Sequence, residues 1–220
     1  MIRKFVAGLS SLVLVISIAQ PASATTPFIQ VGTPVEVGWR SSFADRTAMS
    51  GDRLFLAHQV DNGNGYDISG AVMSKDGVVG SSSLVARVEG AAVLPAMDRP
   101  WDLATTKDGT LIVAYTASFG DAGSDSFVSN LYVAFSDDGS TWSIPVNPVA
   151  QVSGSIMDCW FIFEGCGYGS PKIAVDGTGR IALIASRSGA ARSASLIATS
   201  SDDGLLWTAP SVIDTGDSMD

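Results

Sequence analysis

A glycine-containing turn followed by a β-rich run occurs three times along this 220-residue chain. The copies are residues 51–58, 108–115 and 177–185. When Leu54, Leu111 and Ile181 are treated as equivalent positions, the spacings are 57 and 70 residues. Self-similarity at intervals of this size indicates an architecture that stacks copies of one supersecondary unit.

Each repeat contains the same series of short extended segments. In the second repeat they are Pro100 to Thr106, Thr110 to Ser118, Asn130 to Ser136 and Trp142 to Val149. In the third they are Pro171 to Asp176, Arg180 to Arg187, Ser193 to Ser200 and Trp207 to Ile213. Four antiparallel strands per repeat, joined by Gly and Asp turns, predict the blade of a β-propeller. A β-sandwich is the competing all-β arrangement, but it does not predict a repeat.

The predicted fold is therefore an all-β, partial propeller over residues 25–220. Its blades are predicted at about residues 43–88, 98–150 and 158–213, with an additional strand at 28–37. Propellers typically need four to eight blades to close. We therefore expect either a fragment of a roughly six-bladed ring or chains that assemble in pairs to close one.

The composition restricts the possible functions. Hydrophobic residues make up 46% of the chain and charged residues only 16%, which argues against a disordered chain and against a coiled coil. The formal charge of −9 argues against a nucleic-acid partner, because phosphate binding uses clustered Lys and Arg.

Residues 1–24 have the three parts of a secretory signal peptide. A basic start precedes an apolar run from Phe5 to Ala19, and small residues follow at Ala22 and Ala24. A membrane anchor is the alternative, but a span needs about 20 apolar residues, and this run has 15. We expect cleavage after Ala24, a secreted or periplasmic location and no membrane span in the mature protein.

Two turns between third and fourth strands share a motif. One reads Ser200-x-Asp202-x-Gly204-x-x-Trp207, and the other reads Asp137-x-Gly139-x-Thr141-Trp142 with Phe135 in the serine position. This pattern resembles the Asp box, or BNR repeat, of the sialidase superfamily. An Asp side chain can accept N–H groups of its own turn, Gly supplies a positive φ and Trp buries its ring. We therefore predict a folding role for these residues.

The resemblance implies a glycan-directed protein whose complete form is an exo-sialidase or a related glycoside hydrolase. In the superfamily a Tyr assisted by a Glu is the nucleophile, an Asp is the acid/base, and three Arg side chains hold the substrate carboxylate. Candidates here for the Arg and Asp roles are Arg40, Asp45, Arg46, Asp98 and Arg99. Each has an alternative role as a strand cap or a paired surface residue.

Arg40 is followed by two serines instead of the Arg-x-Pro sequence of the superfamily, and no complete catalytic set can be built from this sequence. The alternative function is therefore a non-catalytic secreted propeller that binds carbohydrate or protein.

The longest connection is predicted between the second and third repeats, at residues 151–170. Cys159 and Cys166 lie in it, and an exported protein favours a disulfide between them. We hypothesise that the closed loop presents Trp160 and Phe161, beside Asp158, as a substrate-binding surface that stacks on a sugar. In the alternative, the aromatic side chains cover the top of the third blade.

No cofactor and no metal site are expected. One His, His58, and two Cys cannot form a zinc site of the usual ligand number, so His58 is predicted to be a packed strand residue. Residues 61–67 bring hard oxygens close together, as a calcium site would. They lack the EF-hand pattern, which favours a polar hairpin loop. The expected partner is a glycan or glycoconjugate, and the oligomeric state stays open.

Overall fold

The computed structural model describes residues 46–89, 100–121, 125–155, 167–188 and 194–216. In these ranges twelve strands form three four-stranded antiparallel sheets. The first sheet contains β1 (Arg46–Ser50), β2 (Arg53–Asp61), β3 (Gly65–Met73) and β4 (Ser83–Glu89). The second contains β5 (Trp101–Thr105), β6 (Leu111–Asp121), β7 (Ser126–Ser136) and β8 (Val152–Ser155). The third contains β9 (Gly167–Val175), β10 (Ile181–Ser188), β11 (Ala194–Ser201) and β12 (Ser211–Gly216).

Strand β6 shows how the sheets pack on one another. Leu111 and Val113 belong to a core shared with the first sheet, whereas Ile112 and Ala114 belong to a core shared with the third. All four residues are at most 1% exposed. Successive side chains of a strand point to opposite faces, so both faces of the second sheet are covered. The three sheets are therefore stacked face to face.

The first strand of each sheet lies at a common inner edge. Strand β5 contacts β1 on one side and β9 on the other, and each sheet follows chain order from this edge outward. Four-stranded antiparallel sheets packed in this way are the blades of a β-propeller. The predicted all-β propeller fold, with three blades present, is confirmed.

The fourth strands begin later than the sequence analysis predicted. Between Trp142 and Val149 the chain pairs with β7 through an isolated bridge, and ladder pairing resumes at Val152–Ser155. In the third blade the outer strand is Ser211–Gly216 and does not begin at Trp207. Proline explains both delays, because it cannot donate a ladder hydrogen bond. The prolines in these stretches are Pro145, Pro148 and Pro210.

In the ranges described above, no helix is long and apolar enough to cross a bilayer. The predicted signal peptide at 1–24 and the predicted strand at 28–37 lie outside the described residues. Both stay predictions.

Candidate functional site

Three charged side chains meet on the inner strands of the three blades. Arg46 Nε donates to Asp102 Oδ1 at 3.2 Å, and Lys172 Nζ lies 3.9 Å from the same oxygen. Asp102 Oδ2 accepts the backbone N–H of Ile173 at 3.2 Å. We call Arg46, Asp102 and Lys172 the inner-strand cluster. Its one carboxylate joins β5 to both β1 and β9.

The Arg46 guanidinium is held from two sides. The side chains of Arg46 and Asp102 are only 21% and 15% exposed, so water screens their ion pair less than it screens a surface pair. The guanidinium carbon also lies 5.6 Å from the ring centre of Trp101, which is fully buried. A cation over a tryptophan face is attracted by the ring, so the position of Arg46 is well defined.

The cluster places two cations around one anion, in a chain whose net charge is −9. The Lys172 side chain is 51% exposed, so its ammonium group can reach a ligand. A guanidinium and an ammonium group side by side can bind an anionic group such as a carboxylate. The arrangement is therefore chemically suited to an acidic ligand.

Arg46 is a candidate from the sequence, whereas Asp102 and Lys172 were not predicted to belong to a site. A signal for both is present: each is a charged residue nine positions before Leu111 or Ile181, the equivalent residues of the two repeats. Charged residues at the same place in two apolar strands are candidates for one shared site.

The other candidate site residues lie outside the described residues, and their roles stay predictions. They are the catalytic candidates Arg40, Asp45, Asp98 and Arg99, the substrate-binding candidates Asp158, Trp160 and Phe161, and the predicted disulfide pair Cys159 and Cys166.

The turn after β7 uses a different carboxylate from the one predicted. Asp138 Oδ1 accepts the backbone N–H groups of Ser140 and Thr141, both at 2.7 Å, and the Ser136 hydroxyl at 3.1 Å. Gly139 has φ +75° and donates its N–H to Ser136 Oγ at 2.8 Å. The predicted acid, Asp137, accepts the Thr110 hydroxyl at 2.7 Å and ties this turn to the turn before β6. The assignment of the turn to Asp137 was wrong by one residue, and Ser136 takes the serine position predicted for Phe135.

The turn after β11 repeats this geometry and needs the same correction. Asp203 Oδ1 accepts the N–H groups of Leu205 and Leu206, both at 2.8 Å, in place of the predicted Asp202. Gly204 has φ +76°, and its N–H donates to Ser201 Oγ at 2.8 Å, in place of the predicted Ser200.

The tryptophans of the two turns both pack inward. Trp207 donates its Nε1–H to the Gly204 carbonyl at 3.0 Å and packs on the core between the second and third blades. Trp142 packs on the core between the first and second blades, with its ring centre 5.6 Å from that of Phe55. Each ring therefore fixes its turn to a core.

The corrected register has a physical reason. Ser136 and Ser201 are the last residues of β7 and β11, and both are 3% exposed. Their neighbours Phe135 and Ser200 point to the opposite face, because side chains alternate along a strand. Only the last residue of each strand can place its hydroxyl under the turn.

The two turn carboxylates are not suited to acid/base catalysis. The N–H groups of Thr141 and Ser140 hold the pKa of Asp138 well below its usual range. Those of Leu206 and Leu205 lower the pKa of Asp203 in the same way. Both groups are therefore ionised at neutral pH and hold no proton to donate.

A cleft of about 520 Å³ lies beside the second blade's turn. Its lining residues are Phe135, Ser136, Asp137, Asp138, Thr141, Trp142 and Ser143. Several of its polar groups already bond to the chain itself, since Asp137 and Asp138 make the contacts above and Ser143 Oγ accepts the Phe135 N–H at 3.1 Å. These lining residues therefore serve to hold the turn in place.

The chain has four tyrosines, and three of them have a shifted pKa. None of these three is an activated nucleophile. Tyr66 donates its hydroxyl to the Thr116 carbonyl, and Tyr168 donates to the Ala150 carbonyl at 2.6 Å. Burial raises the pKa of Tyr66, Tyr115 and Tyr168. A nucleophilic phenol needs a lowered pKa or an adjacent base, so these three side chains are packing residues.

The hairpin loop at 61–67 uses its oxygens internally. Asp61 Oδ1 accepts the Gly63 N–H at 2.7 Å, and Asp67 accepts two N–H groups of Arg87 at 3.0 and 2.8 Å. The hydrogen bond from Arg87 lowers the pKa of Asp67. No group of three His, Cys, Asp or Glu in the described part of the chain could hold a metal ion.

His58 is 7% exposed within β2, where it is a packed strand residue.

Comparisons with known proteins support the fold. A scan against protein-family models gives no match, and a search of curated proteins gives none. Among solved structures, the Hadza microbial sialidase Hz136 matches with a TM-score of 0.54 at 15% identity, over 79% of this chain and 38% of its own. A Trypanosoma rangeli sialidase mutant that displays trans-sialidase activity matches with a TM-score of 0.46 at 11% identity, over 76% and 30%. An endo-arabinase from Bacteroides thetaiotaomicron matches with a TM-score of 0.44 at 13% identity, over 82% and 66%.

This chain thus spans 38% of the length of sialidase Hz136. At this level of identity the likeness concerns the fold alone.

Proposed function

We propose that this chain is part of an exported β-propeller directed at glycans and that the inner-strand cluster binds the acidic group of a sugar. The observation that carries the proposal is the pair of cations, Arg46 and Lys172, around Asp102 on adjacent inner strands. The fold likeness to sialidase Hz136 and the resemblance of the turns to the Asp box favour an acidic sugar of the sialic acid type as ligand.

The packing around Arg46 explains how the cluster would bind a carboxylate. Asp102 and Trp101 fix the guanidinium before a ligand arrives, so little side-chain freedom is lost on binding. Lys172 adds a second positive charge from β9, and both contacts to a carboxylate would be charge-assisted hydrogen bonds. The two blades would then share one ligand.

Two functions remain to be separated: an exo-sialidase-like glycoside hydrolase and a non-catalytic binding module. Burial of Tyr66, Tyr115 and Tyr168 favours the binding module for the described residues, because a sialidase uses a Tyr nucleophile. Release of the fluorophore from a fluorogenic sialoside by the full-length protein would establish the enzyme. Binding of a sialylated glycan without hydrolysis would establish the module.

Binding should depend on the acidic sugar in either case. We expect the full-length protein to bind a sialylated glycan more tightly than the same glycan after sialic acid has been removed, as measured by titration calorimetry. Equal affinity for the two glycans would contradict the proposal.

Lys172→Met tests the cluster without breaking the Arg46–Asp102 pair. Loss of one charge-assisted hydrogen bond should weaken binding of the sialylated glycan by about tenfold. Lys75→Met is the matched control, because Lys75 is an exposed lysine in the turn after β3. Equal affinities of the two variants would place the ligand elsewhere.

Export is part of the proposal and rests on residues 1–24. The exported protein should begin at Thr25, which N-terminal sequencing would detect.

A further inference from the structure

Two consecutive Asn-Gly dipeptides, Asn62-Gly63 and Asn64-Gly65, connect β2 to β3, and Gly65 is the first residue of β3. In such a pair the glycine backbone nitrogen can attack the asparagine side-chain carbonyl carbon, because glycine has no Cβ to obstruct the approach. A bond forms between that nitrogen and Cγ, the Cγ–Nδ2 bond breaks, and ammonia leaves. Water then opens the cyclic imide to aspartate or isoaspartate.

The structure holds Asn62 away from this reaction. Its Nδ2 donates to Asp67 Oδ1 at 2.8 Å, and its Oδ1 accepts the Asn64 N–H at 3.0 Å. Asp67 is itself fixed by Arg87 at 2.8 Å. The attacking nitrogen is also engaged, since the Gly63 N–H donates to Asp61 Oδ1 at 2.7 Å. Attack at Asn62 would require several of these bonds to break first.

Asn64 lies in the same loop but has different surroundings. It is exposed, and within the described ranges its side chain makes no hydrogen bond. Its amide group can therefore rotate towards the Gly65 nitrogen without losing a protein contact. Because the two dipeptides are identical, only the surroundings distinguish their reactivity.

We propose that Asn64 is a site of spontaneous deamidation and that the bonds to Asp67 and Asn64 protect Asn62. The reaction converts a neutral amide into a carboxylate at the loop tip. Arg46, which begins β1, pairs with Ala57 of β2, so the loop projects from the end of the first blade at which Arg46 lies. The new negative charge arises at that end of the blade. The proposal does not depend on the glycan function.

The test is prolonged incubation of the full-length protein at mildly alkaline pH, with peptide mapping by mass spectrometry and enzymatic methylation of isoaspartate. Fragmentation of the peptide locates the mass change at one of the two asparagines. We expect Asn62 to react at least about tenfold more slowly than Asn64, because a hydrogen bond to a charged group must break first. Equal rates, a faster reaction at Asn62 or no product at Asn64 would overturn the proposal.

Two controls connect the difference to the fold. Asp67→Ala should raise the rate at Asn62 towards that at Asn64 and leave Asn64 unchanged. In wild-type protein unfolded by urea, both asparagines should react at similar rates. Persistence of the difference in urea would mean that local sequence causes it, which contradicts a protective role for Asp67.

Discussion

Asp138 and Asp203 each organise a turn by replacing water around two backbone N–H groups. Neither carboxylate is buried, and both are ionised because those donors favour the charged form. The neighbouring Asp137 and Asp202 face other partners: Asp137 accepts a hydroxyl of Thr110, and Asp202 lies 3.6 Å from Arg180. Two adjacent acids of the same type therefore have different structural roles.

Alanine variants of adjacent acids should separate these roles. Asp203→Ala removes the acceptor of two turn N–H groups, whereas Asp202→Ala removes half of an exposed ion pair, and exposed pairs add little stability. We expect Asp203→Ala to lower the melting temperature clearly and Asp202→Ala to leave it nearly unchanged, as followed by circular dichroism. A larger effect of Asp202→Ala would restore the register first predicted from the sequence.

The lowered pKa values also predict a direction of pH dependence. A carboxyl group with a depressed folded-state pKa stabilises the fold above its unfolded pKa, which is about 3.9 for Asp. This stabilisation is lost as the pH falls through the folded-state pKa of Asp138 or Asp203. Urea unfolding at a series of pH values should show stability falling below about pH 4, with a shallower fall in the double variant Asp138→Asn, Asp203→Asn. An unchanged slope would show that other acids dominate.

The sequence allowed the residue types of these turns to be predicted, but not their register. Ser136 to Gly139 and Ser201 to Gly204 both read Ser-Asp-Asp-Gly, and either acid satisfies a pattern that needs one. Which of the two acids accepts the turn N–H groups depends on which strand residue points to the buried face at the end of the strand. Packing between the blades determines this.

At the scale of elements, the turns of the second and third blades each pack on an aromatic ring of the blade before. A Cβ on Gly204 would come within 2.4 Å of Phe135 Cζ, and a Cβ on Gly139 would come within 2.6 Å of Val72 Cγ2 and 3.1 Å of Phe55 Cδ2. Glycine is required at these two turns for the left-handed backbone and also for the close approach.

Comparing Gly204→Ala with Gly63→Ala measures how much stability depends on the close approach of Gly204 to Phe135. The two glycines have similar φ angles, +76° and +81°, but a Cβ on Gly63 would have nothing within 4 Å. Both variants carry the backbone cost, and only Gly204→Ala adds overpacking, which costs about 1–3 kcal/mol. Urea unfolding should show the difference, and equal losses of stability would mean that Phe135 moves aside freely.

Strand positions were predictable to the extent that they depend on local sequence. The central strands of each blade are apolar runs between turns, and they lie where the repeats placed them. The fourth strands were misplaced because Trp142 and Trp207 belong to β-rich segments but pack inward at the turn, and prolines delay the ladder. Pattern alone does not distinguish a strand residue from a packed turn residue.

At the scale of the whole molecule, Asp102 connects all three blades. Its partners Arg46 and Ile173 are 56 and 71 residues away in the chain. Spacing in the chain does not by itself show that these residues meet, because the contact exists only after three blades have stacked. Repeats predicted the number of blades, whereas the site between them needed the tertiary structure.

Asp102→Ala should weaken the coupling between blades, and Asp67→Ala is its matched control. Both side chains are 15% exposed and pair with an arginine, but the Asp67 pair lies within the first blade. Asp102→Ala leaves the Ile173 N–H without its acceptor, which costs about 1–3 kcal/mol. It should also reduce the urea m value, since unfolding becomes less cooperative. An m value as high as that of Asp67→Ala would show that the apolar cores alone couple the blades.

The packing of each turn on the blade before it gives assembly a direction. Gly139 lies against Val72 and Phe55, and Gly204 lies against Phe135, so each turn packs on residues that lie earlier in the chain. During synthesis or export from the N-terminal end, the second and third blades emerge after the residues on which their turns pack. The described blades can therefore assemble by successive addition, since neither of these two turns packs on a later blade.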